Sequence, residues 1–117
     1  MAQRTDLGDQ QAREIGRRQS LFREVNERID ELAETFDLQE EMTILCECGT
    51  ESCNERITLA EAEYEALRLI PTHFAVLPGH EIPAVERVVE TTNRYVVVEK
   101  FGESAIAAIK LDPRRRS

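Results

Sequence analysis

Cys46-Glu47-Cys48-Gly49-Thr50-Glu51-Ser52-Cys53 holds every cysteine of the 117-residue chain, in the pattern C-x-C-x4-C. An odd number of thiols crowded into one short loop points to a metal site rather than a disulfide framework. Zn²⁺ favours thiolate and imidazole ligands in tetrahedral sets, and three cysteines with one histidine make a closed structural centre. Only His73 and His80 offer an imidazole. The sequence therefore predicts an α+β protein: a long N-terminal helix, then a small zinc-stapled domain with a mostly antiparallel sheet and one short helix.

Cys46, Cys48 and Cys53 supply three ligands, and the fourth must come from elsewhere in the chain. His80 follows Pro78-Gly79, a turn whose rigid backbone can aim a side chain at a point. His73 also follows a proline segment but begins an apolar run, and a carboxylate from Glu47 or Glu81 is a further alternative. His80 is the preferred ligand. Without metal, the three thiols would instead be buried or redox-active.

The segments around the loop read as short elements. Met42 to Leu45 forms a strand leading into Cys46, Gly49 permits the turn, and Arg56 to Leu59 returns as the second arm of a hairpin. Thr58 and Glu61 fit the N-cap and N3 positions of a capping box. The helix that follows runs to about Leu69, is closed by Pro71 and faces inward with Leu59, Ala62 or Glu63, Ala66, Leu67 and Ile70, leaving Tyr64 at the edge. His73 to Leu77 is a strand. Ala84 to Glu90 and Tyr95 to Lys100 form a second hairpin burying Val85, Val88, Val96 and Val98. Ala105 to Ile109 reads as either a last strand or a helical turn.

Upstream, Ile15, Phe22, Val25, Ile29, Leu32 and Phe36 recur at helical spacing. They predict one helix from about residue 10 to 36, roughly 40 Å long at 1.5 Å per residue. Gly16 is its weak point. The apolar stripe has two readings. It packs on the protein's own sheet, or it serves in self-association or partner docking, as the seam of a homodimer with Arg18 as a polar intruder or as the seat of a partner. The domain plan is a disordered N-terminus over 1–9, the helix over 10–38, the zinc-binding α+β domain over 39–111 and a basic tail over 112–117.

Composition narrows the function classes. The chain is 41% hydrophobic and 32% charged with no Trp, too apolar for a disordered acidic protein and too polar for a membrane protein. No apolar run approaches the ~18 residues that span a bilayer. The first ten residues lack the apolar core of a secretory signal, so a reducing cytoplasm is the expected setting. Net charge is −8, concentrated as −12 in residues 29–109. Such a body repels phosphate backbones, so neither nucleic acid nor membrane is an expected partner. The Arg114-Arg115-Arg116 tail is expected to be solvated.

The C-x-C-x4-C loop resembles the zinc motif of the post-SET segment of lysine methyltransferases, in which three cysteines join a remote fourth. The resemblance covers eight residues and implies zinc binding alone, because no cofactor-binding glycine signature or Asn-His pair accompanies it. A broader resemblance runs through most of residues 21–113, to small uncharacterised actinobacterial proteins. It is carried by Phe22-Arg23-Glu24-Val25-Asn26, Cys46-Glu47-Cys48, Glu63-Tyr64-Glu65, Pro78-Gly79-His80-Glu81 and Tyr95-Val96-Val97-Val98-Glu99-Lys100. It implies the fold unit and His80 as a ligand, and no activity.

The functional expectation is a small cytoplasmic zinc protein acting as a protein-interaction or regulatory module, not an enzyme. A thiol-redox or zinc-responsive switch is the alternative, with a nucleic-acid-binding zinc protein behind it. The signatures of zinc deaminases and of H-E-x-x-H hydrolases are missing.

Overall fold

The computed structural model describes residues 8–35, 41–50 and 52–116. Helix α1 spans Asp9–Thr35, followed by strands β1 (Met42–Leu45) and β2 (Arg56–Leu59), helix α2 (Glu61–Leu67), strands β3 (His73–Val76), β4 (Glu86–Thr91) and β5 (Val96–Lys100), helix α3 (Gly102–Lys110), and a final 3₁₀ turn, Pro113–Arg116. The class is α+β, with a long N-terminal helix and two small antiparallel sheets.

β1 and β2 form a hairpin with Met42 opposite Leu59 and Ile44 opposite Ile57. These four point to one face and are buried, as the period of two requires. The second sheet has the order β3-β5-β4. Its central strand buries Val96, Val97 and Val98 in succession, because both faces are covered. Val88 is exposed on the edge strand β4 rather than buried as its alternation implied. The segment around Ala105 resolves as helix α3, which lies so close to α1 that a Cβ on Gly16 would meet Ala107 Cβ at 2.8 Å. The glycine that weakens the helix locally is what admits its neighbour.

α2 starts two residues later than the capping signal implied. Thr58 stays in β2, and Glu63 Oε1 accepts a hydrogen bond from the Ala60 amide at 2.7 Å. Tyr64 and Leu67 form its buried face, while Ala66 and Ile70 are exposed. Tyr64 is drawn inward because its hydroxyl donates to Glu27 Oε2 at 2.7 Å.

The largest departure from the sequence reading concerns which face of α1 is buried. Val25 and Leu32 are 46% and 56% exposed, Phe22 and Ile29 are half-buried, and of the described stripe residues only Ile15 is buried. Phe36 lies outside the described residues. The buried face instead reads Ala12, Ile15, Gln19, Arg23, Asn26, Asp30 and Ala33, also at helical spacing. The reason is what the helix packs against. Asn26 Nδ2 donates to the Leu45 carbonyl at 3.0 Å and Asn26 Oδ1 accepts from the Leu45 amide at 2.8 Å, completing the free edge of β1 as another strand would. Gln19 Nε2 donates to the Glu47 carbonyl at 3.0 Å. Buried backbone groups need partners, and this helix brings them.

The basic tail is also tied down at its first arginine. Arg114 pairs with Glu27 at 2.6 Å and with Glu65 at 2.8 Å, and Arg68 pairs with both Glu27 and Asp112. Burial opposes the Glu27 carboxylate, but Arg114, Tyr64 and Arg68 outweigh it and hold the carboxyl below its usual range.

Candidate metal centre

Cys46 and Cys48 continue the line of β1, so the period of two puts both sulfurs on one side of the chain and Glu47 on the other. Cys53 sits just before β2, after a turn closed by the hydrogen bond from the Cys53 amide to the Thr50 carbonyl at 3.0 Å. His80 follows β3 on a turn in which its amide donates to the Leu77 carbonyl at 2.9 Å. One sheet therefore contributes three sulfurs and the other contributes the imidazole. Their ligand atoms all lie within 4.8 Å of one another.

His80 Nδ1 is 3.7 Å from Cys46 Sγ and 3.6 Å from Cys53 Sγ. A tetrahedron with metal–sulfur bonds of about 2.3 Å and metal–nitrogen bonds of 2.0–2.1 Å has S···N edges of about 3.5 Å. These two distances fit a tetrahedral Cys3His site, in which Nδ1 would be the ligating nitrogen. The donor set of three soft sulfurs and one imidazole fits zinc, and the arrangement can hold a metal ion.

The backbone is arranged to receive thiolates. The Leu77 amide donates to Cys46 Sγ at 3.3 Å, and Thr50 beside Cys48 and Glu55 beside Cys53 favour the ionised sulfurs. Burial works against the Cys48 thiolate, yet hydrogen bonds from Thr50, His80 and Cys53 overcome it and bring the thiol down to about 7. Burial pushes the Cys46 and Cys53 thiols up, the neighbouring sulfurs adding to the effect at Cys46. A bound cation would favour the ionised form of all three.

The alternative fourth ligands are engaged elsewhere. His73, on β3, faces Glu99 with Nε2 at 3.5 Å from Oε2. Glu81 Oε1 accepts from the Gly79 amide at 3.0 Å. Glu47 points away from the sulfurs and into the core. It accepts from Arg23 Nε at 2.8 Å and Nη2 at 2.9 Å, from Asn26 Nδ2 at 2.9 Å and from the Ala75 amide at 3.0 Å. Arg23 in turn donates to the His73 carbonyl at 2.6 Å and lies over the Phe74 ring, 3.9 Å from its centre. Glu47 thus locks helix, cysteine loop and second sheet together. The sequence offered it only as an alternative ligand, although strand alternation within C-x-C already pointed it away from the sulfurs.

Gly49 completes the loop. Its φ is +74°, and a Cβ there would come 2.6 Å from Gln19 Cγ and 3.1 Å from the Ile15 carbonyl oxygen. Gly49→Ala should destabilise the protein by about 2–4 kcal/mol, combining left-handed backbone strain with overpacking against α1. A urea titration with a lowered midpoint and unchanged slope will show it.

Comparison of the chain with protein-family models, curated proteins and solved structures gives no match. Among the described residues, no helix is long and apolar enough to cross a membrane.

Proposed function

We propose that the chain is a small cytoplasmic zinc-binding module whose metal is structural and whose helical surface docks a protein partner, in a regulatory or interaction role rather than an enzymatic one. The observation that carries the zinc assignment is the convergence of Cys46, Cys48, Cys53 and His80 from two separate sheets. Three thiolates and an imidazole fill a tetrahedral coordination sphere, leaving no position for water or substrate.

The docking role draws support from the face that α1 leaves outside. Leu21 is 60% exposed and shares a groove with Leu111, beside the exposed Ile106 of α3. Exposed apolar side chains grouped at a helix pair are the usual material of a protein contact. A partner helix or a second copy of this chain fits there, and the acidic body disfavours nucleic acid.

Native mass spectrometry of the wild type and His80→Ala, purified without chelator, tests the reading. We expect one zinc per wild-type chain and at least a tenfold loss of zinc affinity in the variant, in keeping with the loss of one ligand of four (about 1.4 kcal/mol or more). Full zinc retention by His80→Ala would sink the ligand set. The same spectra report monomer or dimer.

One observation favours the redox alternative. Cys46 and Cys48 are buried, whereas Cys53 is half-exposed, beside a hollow it lines with Thr50 and His80. An oxidant would therefore meet Cys53 first. Zinc release by near-stoichiometric peroxide under native conditions would move the assignment to a switch.

A further inference from the structure

A second cluster of metal-ligating side chains lies away from the cysteines. α1 contributes Asp30 and Glu34, and α2 contributes Glu61 and Glu65, each pair four residues apart and so on one helical face. One oxygen from each of the four lies within 4.8 Å of the others.

Acidic residues crowd together on many surfaces, but this cluster has a buried base. Asp30 is only 2% exposed, and its Oδ1 has no hydrogen-bond partner. Glu61 Oε2 is likewise buried without one. A carboxylate oxygen left so costs about 1–3 kcal/mol or more, and native proteins seldom leave such a group without water or an ion. Arg114 offsets part of the charge, donating to Asp30 Oδ2 at 3.3 Å and to Glu65 Oε2 at 2.8 Å. Neither of the two orphaned oxygens accepts a hydrogen bond from it.

We propose that Asp30, Glu34, Glu61 and Glu65 form a second cation site, for a hard divalent ion of the Ca²⁺ or Mn²⁺ class. Oxygen ligands at 2.3–2.6 Å from Ca²⁺ stand at most about 5 Å apart across the ion, and oxygens within 4.8 Å of one another are compatible with that limit. Four carboxylates outnumber Arg114, which Glu27 shares, and Arg68 near Glu65, and leave an excess of negative charge that a dication neutralises. A proton is the competing occupant: burial, with Glu65 and Glu61 beside it, pushes the Asp30 carboxyl up to about 9. One proton, making either oxygen a donor to the other, would also satisfy both, but it removes one negative charge where a dication offsets two. The site is chemically distinct from the thiolate cluster, since hard oxygen ligands select a different class of metal. It would fasten the C-terminal part of α1 to α2.

The test is a Mn²⁺ titration of the zinc-loaded protein in buffer cleared of hard cations, with free Mn²⁺ read by electron paramagnetic resonance and Ca²⁺ as competitor. We expect one Mn²⁺ per chain with Kd below about 1 mM, displaced by Ca²⁺. Glu61→Gln and Asp30→Asn should each weaken it by roughly tenfold or more, with zinc content and far-UV circular dichroism unchanged. Glu24→Gln, exposed on the same helix, should leave it unaltered. Absence of Mn²⁺ binding below that limit, or equal affinity in both ligand variants, would overturn the proposal. So would a rise in Tm of Asp30→Asn in cation-free buffer together with no Mn²⁺ uptake by the wild type, the mark of a shared proton.

Discussion

Removing the metal from the Cys3His site, by a strong chelator or by Cys48→Ser, will unfold the cysteine loop and lower Tm by at least about 15 °C, which corresponds to roughly 4 kcal/mol for a chain of this size. Three ligands belong to the β1–β2 hairpin and the fourth to the turn after β3, so a metal held there would add a bond between two separate sheets that otherwise meet through Glu47, Ala75 and the shared core. A two-stranded hairpin is marginal by itself. Structural zinc contributes about 10–16 kcal/mol of apparent binding energy in finger peptides, as much as the whole stability of a typical domain. Here the shared core around Ile44, Phe74 and Val98 supplies part of the stability, so a partial collapse is expected rather than a fully extended chain. Serine at position 48 loses the thiolate and leaves a hydroxyl buried at 0% exposure. Circular dichroism melts with and without chelator, then with zinc restored, will decide it. Superimposable melts would mean that the cluster holds no structural metal.

Glu47→Ala will destabilise the protein by about 3–5 kcal/mol, because it leaves the buried Arg23 guanidinium without its counter-charge. Burial opposes the charge on Arg23, and the Glu47 carboxylate beside it outweighs that opposition and raises its pKa. Both side chains are almost wholly enclosed, at 2% and 0% exposure, so solvent screens little of the pair. The substitution also removes the acceptor for Asn26 Nδ2 and for the Ala75 amide. A Tm lower by about 12–20 °C is expected. Glu47→Gln keeps the shape and one acceptor and should fall between the two. The double variant Arg23→Met with Glu47→Met should recover much of the loss, since a well-packed apolar pair often replaces a buried ion pair at little cost. A single Glu47→Ala effect below about 1 kcal/mol, the range of exposed pairs, would show that Arg23 reaches solvent.

The parts of this protein that were legible in the sequence are those set by short-range rules. Helix α1 follows from helical periodicity, the hairpins from alternating apolar residues bounded by turn signals, and the three-sulfur loop from spacing alone. The Pro78-Gly79 turn marked His80 because a rigid turn places the next side chain with little freedom. Those four residues do meet in space. Tertiary structure alone decided which face of α1 is inside. The apolar stripe of Val25 and Leu32 and the polar row of Gln19, Arg23 and Asn26 have the same helical period, so periodicity cannot choose between them. The choice depends on partners far along the chain: the Leu45 backbone 19 residues beyond Asn26, Glu47 24 residues beyond Arg23, and the His73 carbonyl 50 residues beyond it. A polar side chain is costly to bury without a partner and favourable to bury with one. Whether such a partner exists is a property of the folded chain, and no window of sequence around α1 contains it.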